Sequence, residues 1–372
     1  MSHPVVTKLA SSLAGEGLEA LVCVSPENVA YAAGFVIPSQ TLMRWRHAAV
    51  VVTADGRTAL MCVDMEESTV RAQRPDAEVR VWAEFTGDPM ATLAALLTDL
   101  GVHRGRVGIE LGYLSAADHA RLTAQLPGAQ LVAADDLLAR ARQLKTPEEL
   151  ALLARLSRIS DRAIRTALES VRAGDSEMDI AAALTRSVYE QGAHSFKLMI
   201  VATGERSQLP NVGPSQRVLA PGDVCRVEIF SVIDGYHAGV CRTAVVGEPP
   251  PEAERIYRHL VECKHLVHEA IQPGVPASRV YEIYRKKFDE LGMPPIAFVG
   301  HGIGVNLHER PYLGPHDDQP LAAGMVLGVE PLVYRTGHGF GMQIKDMVAV
   351  TDQGCQLLSD VSDTDQLYVI PA

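Results

Sequence analysis

The sequence lacks any long hydrophobic run: no apolar stretch reaches the roughly 18 residues that a membrane-spanning helix needs. Its opening, Met1-Ser2-His3-Pro4, does not have the form of a secretory signal. Basic residues are in deficit, and the formal net charge of -11 argues against nucleic acid or an anionic membrane as the main partner. We therefore expect a cytoplasmic protein that acts on a small-molecule substrate.

Paired cysteines are absent as well. The six cysteines are scattered along the chain and none forms a CxxC pair, so the sequence signals neither a zinc knuckle nor a disulfide framework. Reduced thiols in a cytoplasm are the simplest interpretation of this pattern.

The length and the apolar content indicate two globular domains. The chain has 372 residues, 47% of them hydrophobic, which is long for a single core. Residues 1–143 alternate strand-like apolar runs, for example 58–63 and 106–111, with helical apolar spacing at 88–101 and 115–126. This alternation predicts an α/β domain with a mostly buried sheet.

A helix start follows the first domain. Thr146 has the position of an N-cap, Pro147 suits the first turn, and Glu149 completes a capping box. Residues 144–372 then interleave helical patterns with antiparallel hairpins, which predicts an α+β domain. We expect the chain to divide into domains at 1–143 and 144–372.

One hairpin of the second domain has the outline of half a metal site. The stretch "VEIFSVIDGYHAGVCRT" (227–243) reads as a strand, a turn at Asp234-Gly235-Tyr236, and a second strand. A two-metal hydrolase would carry one carboxylate on each strand. Here the first strand has Glu228, but the position eleven residues on is Gly239.

Five stretches of the second domain, taken in order, resemble the pita-bread superfamily of methionine aminopeptidase, prolidase, aminopeptidase P and creatinase. They are "KTPEEL" (145–150), "GDVCRVEIFSVIDGYHAGVCRT" (222–243), "GHGIGVNLHERP" (300–311), "AAGMVLGVEP" (322–331) and "QIKDMVAVT" (343–351). The first domain, with "SPENVAYAAGF" (25–35), looks like the N-terminal domain of prolidase and creatinase. The resemblance implies that fold: an α/β domain of the creatinase/prolidase N-terminal type, followed by an α+β pita-bread domain.

In the metallopeptidases of this superfamily, two aspartates, a histidine and two glutamates hold two divalent metals. The resemblance places those five ligands at Glu228, Gly239, His301, Glu330 and Lys345. Glycine offers no ligand atom, and a protonated lysine cannot coordinate a metal. We therefore expect no metal cofactor, with the Lys345 ammonium supplying the positive charge between the two glutamates.

Further site residues follow from the same resemblance. His308 matches a substrate-contacting histidine of the peptidases, Asn211 stands where prolidase and creatinase carry a histidine, and the "YHA" turn with Tyr236 is similar to ectoine hydrolase. Creatinase places an aromatic residue and an arginine into the active site of its dimer mate. Trp45 and Arg46 match them here, or serve as a dimer contact, and either role implies a homodimer.

The leading hypothesis is a metal-independent, creatinase-like or ectoine hydrolase-like enzyme that hydrolyses a C–N bond (amide, amidine or guanidino) in a small carboxylate-bearing molecule. Arg46 would hold the substrate carboxylate, a histidine would relay protons, and Lys345 would stabilise developing negative charge. The predicted catalytic residues are His301, Glu330, Glu228 and Lys345, and the predicted substrate-binding residues are His308, Arg46, Trp45, Asn211 and Tyr236.

Two other hypotheses remain open. One is a metal-dependent Xaa-Pro dipeptidase or aminopeptidase with a reduced, mononuclear site made by His301, Glu330 and Glu228 after Lys345 is displaced. The other is a pita-bread protein that binds a ligand without cleaving it, because several positions of the catalytic set have changed together.

Overall fold

A computed structural model describes residues 4–294 and 296–372. The expectation that the chain lacks a secretory signal rests in part on residues 1–3, which lie outside this described part. Within it, none of the helices combines the length and the apolar character that crossing a bilayer requires. The chain divides into two compact units, one ending at Arg142 and one running from Gln143 to Ala372.

The first unit is a six-stranded mixed sheet with helices on both faces. Its strands are β1 (Ala20–Cys23), β2 (Ala49–Thr53), β3 (Thr58–Val63), β4 (Glu78–Trp82), β5 (Arg106–Ile109) and β6 (Gln130–Ala133), in the order β4-β3-β2-β1-β5-β6. Its helices are α1 (Pro4–Glu16), α2 (Pro26–Ala33), α3 (Pro38–Leu42), α4 (Glu67–Gln73), α5 (Pro89–Asp99), α6 (Ala116–Gln125) and α7 (Asp135–Gln143). Apolar residues of α5 and α6 pack on the sheet in one core. This is the predicted α/β architecture.

The second unit begins with two helices, α8 (Pro147–Glu169) and α9 (Glu177–Glu190). The capping box predicted at Thr146 and Glu149 starts α8. Both helices lie beside a four-stranded sheet of β7 (Ser195–Thr203), β8 (Val224–Ile233), β9 (Tyr236–Val246) and β17 (Tyr368–Ile370), in the order β17-β9-β8-β7.

The β8–β9 hairpin turns where the sequence predicted, but the turn has two residues, Asp234 and Gly235, because Tyr236 already pairs in β9. Asp234 and Gly235 both have positive φ values, 50° and 84°, which is the conformation of a type I′ turn and suits a glycine at the second position. Because the turn fixes the register, Phe230 lies opposite Gly239 and Glu228 lies opposite Cys241.

The second sheet completes this unit. Its strands are β10 (Gly300–Gly302), β11 (Glu309–Leu313), β12 (Val326–Val329), β15 (Asp346–Thr351) and β16 (Gly354–Leu357), in the order β11-β10-β12-β15-β16. A short hairpin of β13 (Leu332–Val333) and β14 (Met342–Gln343) follows β12, and its β14 contacts β8 and β9 of the four-stranded sheet. Helices α10 (Pro251–Ala270) and α11 (Ala277–Glu290) share an apolar core with β12 and β15. The unit is α+β, as predicted.

Candidate active site

Strand β8 carries two side chains of the site on one face. Glu228 and Phe230 are two residues apart, so both point to the same side of the sheet, and both are buried. The Phe230 ring covers Gly239 on the paired strand so closely that a Cβ atom at residue 239 would overlap the ring. A carboxylate on β9 at this position therefore has no room.

Lys345 lies at the junction of β14 and β15 and points into the same space. Its backbone pairs with Cys241 through two hydrogen bonds, from Lys345 N to Cys241 O (3.0 Å) and from Cys241 N to Lys345 O (3.2 Å). Its ammonium nitrogen is 3.4 Å from Glu228 Oε1 and 3.3 Å from Glu330 Oε2, with its side chain only 2% exposed. One buried cation thus contacts both glutamates.

His301 approaches the ammonium from β10. Its Nε2 is 3.2 Å from Lys345 Nζ and 3.1 Å from Glu330 Oε1, while its Nδ1 is 2.8 Å from the carbonyl oxygen of Gly302. A carbonyl oxygen only accepts, so Nδ1 carries a hydrogen. His301 pairs with Gly328, and a Cβ atom at Gly328 would lie only 3.0 Å from Lys345 Cε.

The pKa values of the two glutamates are shifted in opposite directions. Burial raises the pKa of Glu228, and the Lys345 ammonium offsets this only in part. Burial would also raise the pKa of Glu330, but the Lys345 ammonium and His301 outweigh it and lower this pKa to about 2. Burial opposes the charge of Lys345, yet the two carboxylates leave its pKa above the ordinary value. Glu330 and Lys345 are therefore charged at neutral pH.

His308 connects this cluster to a cavity. Its ring stacks on that of His301 with the centroids 3.7 Å apart. Burial and then the neighbouring His301 and Lys345 lower the pKa of His308 to about 4, so its imidazole is neutral at pH 7. The cavity has a volume of about 430 Å³, and its lining includes His308, the exposed Arg310 and Tyr312.

The sequence did not identify three buried residues that contact the site or its ligands: Phe230, Gln343 and Arg226. Gln343 Nε2 donates to Glu330 Oε2 (2.9 Å), and Gln343 Oε1 accepts from Arg226 Nη1 (3.0 Å). Each of the three lies two residues from a predicted site residue on a strand. The period of two in a β-strand, applied outward from Glu228 and Lys345, would have found them.

The other predicted binding residues lie elsewhere. Asn211 is exposed and follows Pro210, whose carbonyl oxygen accepts from Arg226 Nη2 (3.0 Å). The hydroxyl of Tyr236 hydrogen-bonds to Glu149 Oε1 (3.0 Å). Their proposed contacts with substrate stay predictions.

In the first unit, Arg46 forms a two-point ion pair with Glu84, with nitrogen–oxygen distances of 2.7 and 3.0 Å. Trp45 beside it is 62% exposed. The predicted homodimer, with these side chains in the partner's site or at a dimer contact, stays a prediction.

The chain's own residues do not fit a two-metal centre. In the described part of the chain, no three His, Cys, Asp or Glu side chains are arranged to hold a metal ion. The ammonium of Lys345 stands among Glu228, His301 and Glu330, which we call the three-donor set, and Phe230 fills the space beside Gly239. The three-donor set has enough ligands for one metal ion only after the Lys345 side chain has moved out of it.

Family models and known proteins agree on the class. Residues 151–352 match metallopeptidase family M24, and residues 6–144 match the creatinase/prolidase N-terminal domain. The chain therefore belongs to metallopeptidase family M24, and its fold is the predicted pita-bread architecture. Its relatives are named as peptidases, which hydrolyse C–N bonds.

Individual relatives point the same way. The chain is 30% identical to a probable dipeptidase PepE of Mycobacterium tuberculosis, over 97% of this chain and 95% of that protein. It is 31% identical to an Xaa-Pro dipeptidase of Pyrococcus furiosus, over 60% of this chain and 65% of that protein. The X-Pro aminopeptidase structure of Thermotoga maritima superposes with a TM-score of 0.87 at 24% identity and full coverage of both chains, which shows a shared fold.

These findings correct one prediction. The hypothesis of a metal-independent, creatinase-like hydrolase is wrong, because the family is one of metallopeptidases and the relatives are named dipeptidases and an aminopeptidase. The inference gave too much weight to Gly239 and Lys345. The loss of two ligand positions changes how a site holds a cation, but it does not move a chain out of its family.

Proposed function

We propose that this protein is a peptidase of the Xaa-Pro class, which cleaves short peptides at the three-donor set and uses a single divalent metal ion. The observation that carries this proposal is the stack of His301 on His308, with centroids 3.7 Å apart, which joins the buried charges to a cavity of about 430 Å³. A cavity of this size is within the range of small-molecule sites. The names of the relatives supply the substrate class.

The donor types of the set suit a metal ion such as Mn²⁺, because its members are two carboxylates and an imidazole. When bound, such an ion supplies Lewis-acid polarisation of the scissile carbonyl. Glu228 and Glu330 would hold the ion as carboxylates. His301 would hold it through Nε2, because its Nδ1 hydrogen-bonds to the carbonyl oxygen of Gly302.

The cavity provides the groups that recognise a peptide. Arg310 presents an exposed guanidinium beside His308, and a guanidinium binds a carboxylate through two hydrogen bonds. We assign the C-terminal carboxylate of a dipeptide to Arg310. His308, neutral at pH 7, is placed between that carboxylate and the buried cluster, where it can hydrogen-bond the peptide near the bond to be cleaved.

The test is the release of free proline from a panel of Xaa-Pro dipeptides by the purified full chain, with Mn²⁺ supplied up to millimolar concentration. We expect proline release that rises with Mn²⁺, and slower cleavage of dipeptides without proline. Glu330→Gln should lower kcat/KM by about 100-fold or more. Glu262→Gln, which removes an exposed carboxylate of α10, is the matched control and should leave it unchanged. Absence of proline release at every Mn²⁺ concentration would overturn the proposal.

A second candidate is ligand binding without cleavage. It is favoured by the buried Lys345 ammonium, which stands among the donors, and by the Phe230 ring, which fills the space beside Gly239. In that case Xaa-Pro dipeptides raise the melting temperature of the protein, yet no product forms when Mn²⁺ is present in excess.

A further inference from the structure

Lys345 has a geometry that suits an ammonium and excludes a metal ion. Its nitrogen lies 3.4 Å from Glu228 Oε1, 3.3 Å from Glu330 Oε2 and 3.2 Å from His301 Nε2. Metal ions bound by the same atoms need about 2.0–2.2 Å, so each donor now stands about 1 Å too far from this common point. The ammonium and a metal ion cannot share it, because like charges would then meet without water between them.

Only the side chain of Lys345 has to move for the point to become free. Its backbone N–H and carbonyl pair with Cys241, and the carbonyl also accepts from Arg242 Nη1 (2.8 Å). Arg242 is itself held by Asp161 (2.9 Å) and Asp346 (3.0 Å). The main chain is therefore fixed on both sides, so an exchange requires rotation of the four-carbon side chain alone.

An aromatic face stands next to the ammonium. Lys345 Nζ lies 4.7 Å from the centroid of the Phe230 ring, a distance at which a cation is attracted to the π system. The same ring prevents a carboxylate at residue 239. Phe230 thus removes a ligand for a second metal ion and supports the organic cation.

We propose that the Lys345 ammonium competes with a divalent metal ion for the three-donor set, so that one ion binds only in exchange for the lysine. The competition makes metal binding weak and limits it to one ion per chain, which ties activity to the metal concentration around the protein. This inference deepens the proposed function, since it concerns metal control of the same site. Its test measures binding rather than cleavage.

The experiment is a calorimetric titration of Mn²⁺ into the metal-free full chain, with the stoichiometry checked by metal analysis. Lys345→Met should bind one Mn²⁺ about 100-fold more tightly than the wild type, because two buried carboxylates left without a cation favour any replacement. Lys345→Arg keeps the cation and should bind no more tightly than the wild type. Lys264→Met is the matched control: Lys264 is a buried lysine of α10 paired with Asp365, away from the three-donor set, and its loss should leave Mn²⁺ affinity unchanged.

Affinities of wild type and Lys345→Met within twofold of each other would overturn the proposal, as would two Mn²⁺ ions per wild-type chain. Lys345→Gln is the second neutral variant if the methionine variant folds poorly, and Mn²⁺ should raise its melting temperature more than that of the wild type. If neither neutral variant folds, the wild type decides: sub-micromolar binding contradicts competition and weak single-ion binding supports it. If Lys345→Met gains Mn²⁺ affinity as expected but the wild type cleaves no peptide, only the proposed function is overturned.

Discussion

The aromatic ring of Phe230 lies directly over Gly239 of the neighbouring strand, where a Cβ atom would overlap it. This contact explains why residue 239 is a glycine in physical terms: the ring occupies the volume that a carboxylate would need. The missing ligand of β9 and the aromatic residue of β8 are therefore one structural feature.

Gly239→Ala should destabilise the fold by about 1–3 kcal/mol, because the added methyl group overpacks a buried position. Equilibrium urea denaturation measures the change. Gly213→Ala is the control, since a Cβ atom at Gly213 meets open space. Phe230→Leu should reduce the cost of the alanine when the two changes are combined, through their direct contact. Equal stabilities of the two alanine variants would contradict this account of Gly239.

Lys345→Met should lower the free energy of unfolding by about 3–5 kcal/mol in metal-free buffer at pH 8, since it leaves two buried carboxylates without a counter-charge. Lys264→Met removes another buried lysine, but its partner Asp365 is 51% exposed and can turn to water. We expect a clearly smaller loss for Lys264→Met in the same denaturation experiment. A larger loss for Lys264→Met than for Lys345→Met would contradict the expectation that the buried charges around Lys345 contribute more to stability.

The imidazole of His308 should remain neutral until the solution is distinctly acidic. Its pKa of about 4 lies below the ordinary value of 6.5, because burial, His301 and Lys345 disfavour the charged form. NMR titration of its ring signals should give a midpoint near pH 4 while the protein is folded. A midpoint at or above pH 6 would contradict the geometry.

The same pKa has a consequence for stability. A folded-state pKa below the unfolded one means that the unfolded chain takes up the proton first. The contribution of His308 to stability is thus complete above pH 6.5 and is lost as the pH falls from 6.5 towards 4. His308→Gln should flatten the pH dependence of the melting temperature in this window. An unchanged pH dependence in His308→Gln would contradict this account.

Arg310→Gln should raise KM for Xaa-Pro dipeptides by about 10- to 100-fold, which corresponds to the loss of a hydrogen bond to a charged group. The change in kcat should be smaller. Dipeptide amides lack the carboxylate and should respond little to the change. Arg279→Gln alters an exposed arginine of α11 and serves as the control. Equal effects of Arg310→Gln on acids and amides would exclude carboxylate binding by this residue.

The sequence supported the larger elements well. Apolar spacing with a capping box at Thr146 predicted the long helix α8, and the Asp234–Gly235 dipeptide predicted the hairpin of β8 and β9. Both signals come from residues close together in the sequence, so they do not depend on contacts between distant segments.

The site was less predictable, because it depends on pairing between distant strands. The registers that place His301 beside Gly328 and Lys345 beside Cys241 join segments without any local signal. The metal-independent function was a wrong prediction for a different reason. The changes at Gly239 and Lys345 alter the site locally, whereas family membership is carried by the whole chain.

The most direct test of the Lys345 exchange is anomalous diffraction from crystals grown with Mn²⁺ at a concentration that saturates Lys345→Met but not the wild type. We predict one manganese peak among Glu228, His301 and Glu330 in Lys345→Met, and in the wild type the ammonium at that point with no peak. Two manganese peaks in the wild type, about 3.5–4 Å apart as in two-metal hydrolases, with Lys345 turned away, would contradict the account.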